Sequence, residues 1–279
     1  MNQAEIRALC KQVLSEPVQR LKKLNKGLTN QNFLIHTAHH ALVFRLPYAD
    51  QSNIVNRAHE AAAMRAVAPF NLDFETLYFD PSTGVKMTRY VEAFRSFDET
   101  QAEARIERTA TLMRRLHALN TTIGFAFDPI QRYRQYRSHV KKPRIEDTHA
   151  EVTLTQIQAL KRPMTLCHND WVEGNIGFTD AKDYLIDYEY AGDNDPYFDV
   201  MSFITENTLS VDEEQRFIEA YFQRTLDANE RSDLELYRDL HNLLWCAWAV
   251  MMHESRGDPI YDTIATMKQN AYYATKKHP

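Results

Sequence analysis

The texture of the chain changes once, near Val91, and that change restricts the fold more than any other feature of the sequence. Before it, apolar runs at Asn32–His36 and Ala41–Leu46 flank the polar stretch Thr37–His40, the pattern of a β-hairpin. Two more β-rich runs, Thr76–Phe79 and Val85–Val91, are joined by Asp80-Pro81-Ser82-Thr83-Gly84, a strong turn signal. Ile6, Leu9, Cys10, Val13 and Leu14 predict a short lead-in helix that Pro17 stops. Asn53–Ala68 predicts a second helix, with Ile54, Ala58, Ala61 and Met64 on one face and Pro69 at its end. Beyond Val91 the period is helical. Ala102, Ile106, Thr109, Met113 and Leu116 predict an amphipathic helix over Glu99–Leu119, with Ser96 and Glu99 placed as a capping box. Asp212–Leu226, Leu234–Glu254 and the stretch from Tyr261 continue in the same way, and the clear β signal among them is the hairpin of Ile176–Thr179 and Tyr184–Asp187. The expectation is an α+β chain: a small antiparallel-sheet lobe over residues 1–91, then a larger, mostly helical lobe over 92–279.

Composition removes several function classes. Lys and Arg total 33 against 38 Asp and Glu, a net charge of −5, which lacks the basic excess of a general nucleic-acid binder. The longest apolar run, Leu243–Met252, falls far short of the roughly 20 residues that span a bilayer. The first residues, MNQAEIRALCKQVL, lack the apolar core of a signal peptide, and three scattered cysteines suggest neither a disulfide framework nor a metal knot. A cytoplasmic setting is expected, with no nucleic-acid partner and no membrane insertion. The basic run Arg132, Arg134, Arg137, Lys141, Lys142 and Arg144 reads as solvated surface, and His36, His39 and His40 as a solvated turn.

The most specific segment is His168-Asn169-Asp170-Trp171-Val172-Glu173-Gly174-Asn175, followed by a hairpin and Leu185-Ile186-Asp187. Phosphoryl transfer from ATP needs a carboxylate to orient the attacking hydroxyl and take its proton, and oxygen ligands to hold Mg²⁺ against the phosphates. Asp170 supplies the first; Asn175 and Asp187 supply the second, as metal ligands. An Asp, an Asn five residues on and an Asp closing the next hairpin are expected to converge on one metal–triphosphate site.

With these words in place the chain resembles the choline/ethanolamine kinase branch of the aminoglycoside phosphotransferase superfamily, itself similar to the protein kinases. Gly27-Leu28-Thr29-Asn30-Gln31-Asn32-Phe33, Asn56-Arg57 with Glu60, the loop 168–175, the stretch 185–192 and Asn194-Asp195-Pro196-Tyr197-Phe198-Asp199 carry the resemblance, which covers nearly the whole chain. It implies a protein-kinase-like fold of two lobes. It also implies that Thr29, Asn30 and Asn32 contact ATP phosphates, although this loop has one glycine where protein kinases have three. Arg45 would stand where protein kinases place a phosphate-holding Lys, with Glu60 as its partner. Tyr90, Val91 and Ile186 would line the nucleotide, and Asp199 would brace the catalytic loop.

Between Asp183 and Asp199 there are six carboxylates and no Lys or Arg, a density that attracts metal and cations. Glu189 and Glu206 are expected to face a positively charged acceptor. Trp245 and Trp248, three apart on a helix, share a face, and the resemblance makes them an aromatic cage for quaternary ammonium. The implied activity is an ATP- and Mg²⁺-dependent kinase of a small cationic alcohol, with choline first. Thiamine, ethanolamine or an aminoglycoside is the alternative acceptor, and a catalytically silent binding module of the same fold is the reading from another class.

Overall fold

The computed structural model describes residues 1–24, 30–48 and 55–276. Helix α1, Gln3–Leu14, begins on a capping box formed by Asn2 and Glu5. Strands β1 (Arg20–Leu24), β2 (Asn30–His36) and β3 (Ala41–Pro47) follow, then helix α2 (Arg57–Val67), capped by the Asn56 side chain. Next come β4 (Thr76–Phe79), β5 (Lys86–Arg89) and the two-residue β6 (Arg95–Ser96). Helices α3 (Arg105–His117), α4 (Pro129–His139) and α5 (Asp147–Ala159) lead to β7 (Thr165–Cys167). After it stand β8 (Ile176–Phe178), β9 (Asp183–Leu185) and β10 (Gly192–Asn194). Helices α6 (Pro196–Glu206), α7 (Val211–Phe222), α8 (Ala228–Arg256) and α9 (Pro259–Lys276) complete the chain.

The chain divides into two compact units, one of Met1–Arg105 with Glu173–Gly192, the other of Ile106–Val172 with Asp193–Pro279. The 91/92 boundary expected from sequence therefore falls inside the first unit, and the hairpin β8–β9 belongs to that unit although it is flanked in sequence by helices.

In the first unit the strands form a five-stranded antiparallel sheet in the order β1-β2-β3-β5-β4. Its core is Phe33, Ile35, Leu42, Phe44, Val85 and Met87, closed by Ile6 and Cys10 of α1. The register sets Asn32 opposite Arg45. A second sheet, β6-β8-β9, lies in the same unit. The capping box expected at Ser96 and Glu99 is half formed, since the Ser96 amide donates to Glu99 at 3.2 Å, but Ser96 belongs to β6 and the helix starts at Arg105. The chain needs those intervening residues to leave the strand before it can turn helical.

In the second unit the 29-residue α8 is the axis, set off by an Asp227–Glu230 capping box and ended by Gly257 in the left-handed region at φ 71°. Fifteen of its residues are buried, and α4, α5, α6 and α9 pack around it. The basic run of α4 and its following loop is surface, as expected, and it is paired: Arg137 forks onto Asp147 at 2.7 and 2.8 Å, and Arg144 meets Asp262. Tyr133 and Tyr136, interleaved with those cations, are core. No helix among the described residues is long and apolar enough to cross a membrane.

Candidate active site

In the first unit the chemistry gathers around Arg45. Its guanidinium reaches Glu60 of α2, Asp187 Oδ1 at 2.7 Å and the Gly84 carbonyl at 3.1 Å, with Glu189 at 4.0 Å. Arg57, one turn before Glu60, adds a second cation: its Nη1 donates to Glu60 Oε2 at 2.7 Å and to Glu189 Oε2 at 3.2 Å. Gly84 is required where both arginines meet the 80–84 turn, because its φ is +75° and any side chain there would run into the Arg57 guanidinium. Three carboxylates thus share two guanidinium groups. Burial opposes the charge on Arg45, but Glu60, Asp187 and Glu189 outweigh it and hold the guanidinium protonated above its usual range. Glu189 shows the surplus of anion from the other side: burial, then Asp187, push its carboxyl up to about 7 despite Arg45 and Arg57.

The expected pairing of Arg45 with Glu60 is therefore present, and Asp187 joins it. Asn175 is close to Asp187 along the β8–β9 ladder, where the Ile186 amide donates to the Asn175 carbonyl at 2.9 Å. Asp187 sits in the left-handed region at φ 66°, which turns its side chain off the strand path, and 30% of that side chain is exposed. A carboxylate and an amide oxygen are the hard donors that Mg²⁺ takes, so this pair fits such an ion. Asn30 is buried and its amide donates to Glu189 at 3.4 Å; Asn32 is half-buried across from Arg45. Tyr90 and Val91 follow the end of β5, where the Tyr90 amide donates to Ala41, and Ile186 is half-buried between β9 and Asp187. Thr29 and the Gly27–Leu28 part of the loop lie outside the described residues.

In the second unit Asp170 is half-buried within a run that is otherwise buried from Thr165 to Trp171. Its neighbours are pinned by α6. Asp199 accepts from the backbone amides of His168 and Asn169 at 2.9 and 2.7 Å and from His117 Nε2 at 3.0 Å, and Ser202 Oγ accepts from the Trp171 amide at 2.9 Å. Asn169, itself at φ 66°, is locked by Asn194, which donates to its side-chain oxygen at 2.8 Å. Burial works against the Asp199 charge, but His117, Trp171 and the His168 amide outweigh it and hold its carboxyl below the usual range. Asp199 thus braces the backbone on the N-terminal side of Asp170.

Glu206, Trp245 and Trp248 also lie in the second unit, and their surroundings differ from the expectation of carboxylates open to a cation. Glu206 is already matched by Lys268 of α9, at 2.5 Å, and by His241 Nδ1 at 3.2 Å. Burial opposes its charge, yet Lys268 and then His241 bring its pKa down to about 2. Glu189 likewise spends its charge on Arg57 and Arg45. Trp245 and Trp248 are 7% and 9% exposed, edge to face with centroids 5.8 Å apart, and Tyr261 stands edge-on to Trp248 at 5.5 Å. Sequence reasoning did not single out Arg57, His241 or Lys268 as site residues. His241 is four residues before Trp245, a spacing that puts both on one helix face, whereas Lys268 left no local signal.

Protein LicA of Haemophilus influenzae is 28% identical to the chain over 246 residues, covering 82% of this chain and 72% of that protein. Among solved structures, the choline kinase LicA from Streptococcus pneumoniae superposes with a TM-score of 0.84 at 21% identity, covering 98% of this chain and 99% of that one. LicA in complex with AMP superposes at 0.82 and 21% identity, covering 97% and 98%. At that identity the likeness is one of fold, and the fold is protein-kinase-like α+β. The phosphotransferase enzyme family (APH) matches residues 20–239, a stretch that takes in Arg45, Glu60, Asp170, Asn175 and Asp187 and stops before Trp245. The chain belongs to the phosphotransferase enzyme family, as a kinase-type transferase of small molecules.

Proposed function

We propose that the enzyme transfers the γ-phosphoryl group of ATP, in the presence of Mg²⁺, to the hydroxyl of choline, giving phosphocholine. The observation that carries the reading is the Arg45 cluster, where a guanidinium tied to Glu60 also holds Asp187 while three carboxylates outnumber two cations. Such a cluster presents a fixed positive fork to phosphate oxygens and surplus negative charge to a metal ion.

When bound, Mg²⁺ and the triphosphate supply charge neutralisation and the phosphoryl group. Asn175 and Asp187 hold the ion. Arg45, Thr29, Asn30 and Asn32 hold phosphate oxygens, and Tyr90, Val91 and Ile186 line the base. Asp170 orients the choline hydroxyl and takes its proton; the clamp on its neighbours fixes the carboxylate before substrate arrives. Trp245 and Trp248 present ring faces to the trimethylammonium group.

The choice of choline over ethanolamine follows from what the aromatic pair offers. A primary ammonium needs acceptors for three N–H groups, and Glu206, the carboxylate hydrogen-bonded to the Trp245 partner His241, is committed to Lys268. A trimethylammonium has no N–H to satisfy and gains cation–π attraction. The LicA likeness supports the same acceptor. The test is a panel of choline, ethanolamine, thiamine and an aminoglycoside with ATP and Mg²⁺: choline is expected to give the highest kcat/KM, and a higher value for any other acceptor rejects this reading.

A further inference from the structure

A buried chain of polar groups runs from the C-terminal helix to Trp245. Lys268, 6% exposed, meets Glu206 Oε1 at 2.5 Å and the Thr205 carbonyl at 3.4 Å. His241, with no exposure, places Nδ1 at 3.2 Å from the same Glu206 oxygen and at 2.8 Å from Thr205 Oγ1. On the other side of the ring, Nε2 is 3.0 Å from Trp245 Nε1. An indole nitrogen can only donate, so Nε2 must be the acceptor and the proton must sit on Nδ1. Thr205 Oγ1 is free to accept that proton because its own hydrogen goes to the Met201 carbonyl at 2.8 Å. The geometry therefore allows one state of His241: neutral, with Nδ1 protonated. A doubly protonated ring would set two N–H groups against each other and break the bond to Trp245.

We propose that Lys268 is a positioning residue for the acceptor: by neutralising Glu206 it keeps His241 in that neutral state, and His241 in turn fixes the indole of Trp245 for the cationic group. The proposal rests on the reading of Trp245 as part of an acceptor cage. The charged groups that bear on the imidazole are Glu206 and Asp199 from α6, which favour its protonation, and Lys268 from α9, which opposes it. Burial is the largest influence and keeps the ring below its ordinary range, and Lys268 adds to it. Without the ammonium, an uncompensated carboxylate would face the ring at 3.2 Å. Two negative groups would then favour a proton on Nε2.

The test compares full-length wild-type protein with Lys268→Met, Lys268→Arg and the double variant Glu206→Gln/Lys268→Met. The first readout needs no substrate: the indole N–H resonance of Trp245, assigned by Trp245→Phe, followed by NMR from pH 5.5 to 8.5. Lys268→Met is expected to make that resonance move with pH within this range, while wild type, Lys268→Arg and the double variant stay flat. The second readout is KM for choline. In Lys268→Met it should rise about tenfold at pH 6 and recover towards pH 8.5, with KM for ATP unchanged. A merely structural lysine would raise KM equally at all pH values or leave it alone. A folded Lys268→Met protein whose Trp245 resonance and choline KM show no added pH dependence overturns the proposal. Should Lys268→Met not fold, Lys268→Gln and the double variant replace it: titration of the resonance in the first and not in the second supports the relay, and equal behaviour overturns it. Failure of the cage reading looks different, since the indole resonance would titrate as expected while choline proved a poor acceptor in wild type.

Discussion

Around Arg45, three carboxylates share two guanidinium groups; around His241, one carboxylate meets one ammonium and the imidazole stays neutral. Both clusters are buried, and both tie a side chain of proposed function to elements distant in sequence. They differ in charge closure. The first holds one carboxylate more than it has guanidinium groups and leaves Asp187 partly exposed, an arrangement that favours either a proton on Glu189 or a bound cation. The second is balanced by the chain itself and its exposed edge is slight, so it holds other groups still and has no charge left for a ligand. A surplus marks where ligand charge enters; a closed pair marks support.

That difference can be broken by substitution. If the Arg45 cluster only binds, turnover must depend on a group outside it, and Asp170→Asn should lower kcat by about 10²–10⁴-fold with nucleotide affinity nearly intact. Wild-type turnover in a folded Asp170→Asn protein would move the proton-accepting role elsewhere. A smaller effect is expected where the closed cluster supports the aromatic pair. Trp248→Ala should raise KM for choline roughly 5- to 30-fold, matching ~1–2 kcal/mol of cation–π and contact energy, and leave KM for ATP in place, with Trp248→Phe recovering part of the loss. Unchanged choline kinetics would return both tryptophans to the core.

The smallest effect concerns acid. Glu206 has a folded pKa of about 2, below its ordinary 4.5, so it contributes stability that is present above the unfolded value and is lost as pH falls towards the folded one. His241 is also depressed, from 6.5, so its contribution begins to fade once pH drops below that value. Thermal melts between pH 7 and 3 should therefore show Tm falling in two windows. Glu206→Gln/Lys268→Met should shrink the lower one, leaving the part that Asp199 and other lowered carboxylates contribute, and an identical acid profile in that variant would show that the pair adds no pH-dependent stability.

Much of this arrangement is legible in sequence where the signal is local. The hairpin β2–β3, the turn at 80–84 and the run from His168 to Asp187 each announce themselves within 20 residues, through period, turn chemistry or motif. Strand β1 was hidden because it is an edge strand whose Arg20, Lys22 and Lys23 are exposed and leave little apolar alternation. The three-residue β7 is buried throughout and shows no alternation, and β10, Gly192-Asp193-Asn194, is buried although two of its residues are polar, so neither carries a strand pattern. Helix α4 escaped notice because its apolar face is two tyrosines and an isoleucine among cations. In the site, Asp187 was found and its bond to Arg45 was not, since 142 residues separate them. Glu206 was expected to face a cationic acceptor, and the cation beside it belongs to the protein itself. What the sequence could not show is that the cation, Lys268, lies 62 residues further along the same chain.

The most direct test of the contrast between an open and a closed cluster is the Mg²⁺ dependence of ATP affinity, measured by titration calorimetry on wild-type protein and on Asp187→Ala. If the surplus charge around Arg45 holds the metal–nucleotide, wild-type affinity should tighten when Mg²⁺ is added and the variant should show little or no such gain, because one of two protein ligands is lost. An equal Mg²⁺-dependent gain in both proteins would contradict that assignment and place the metal elsewhere.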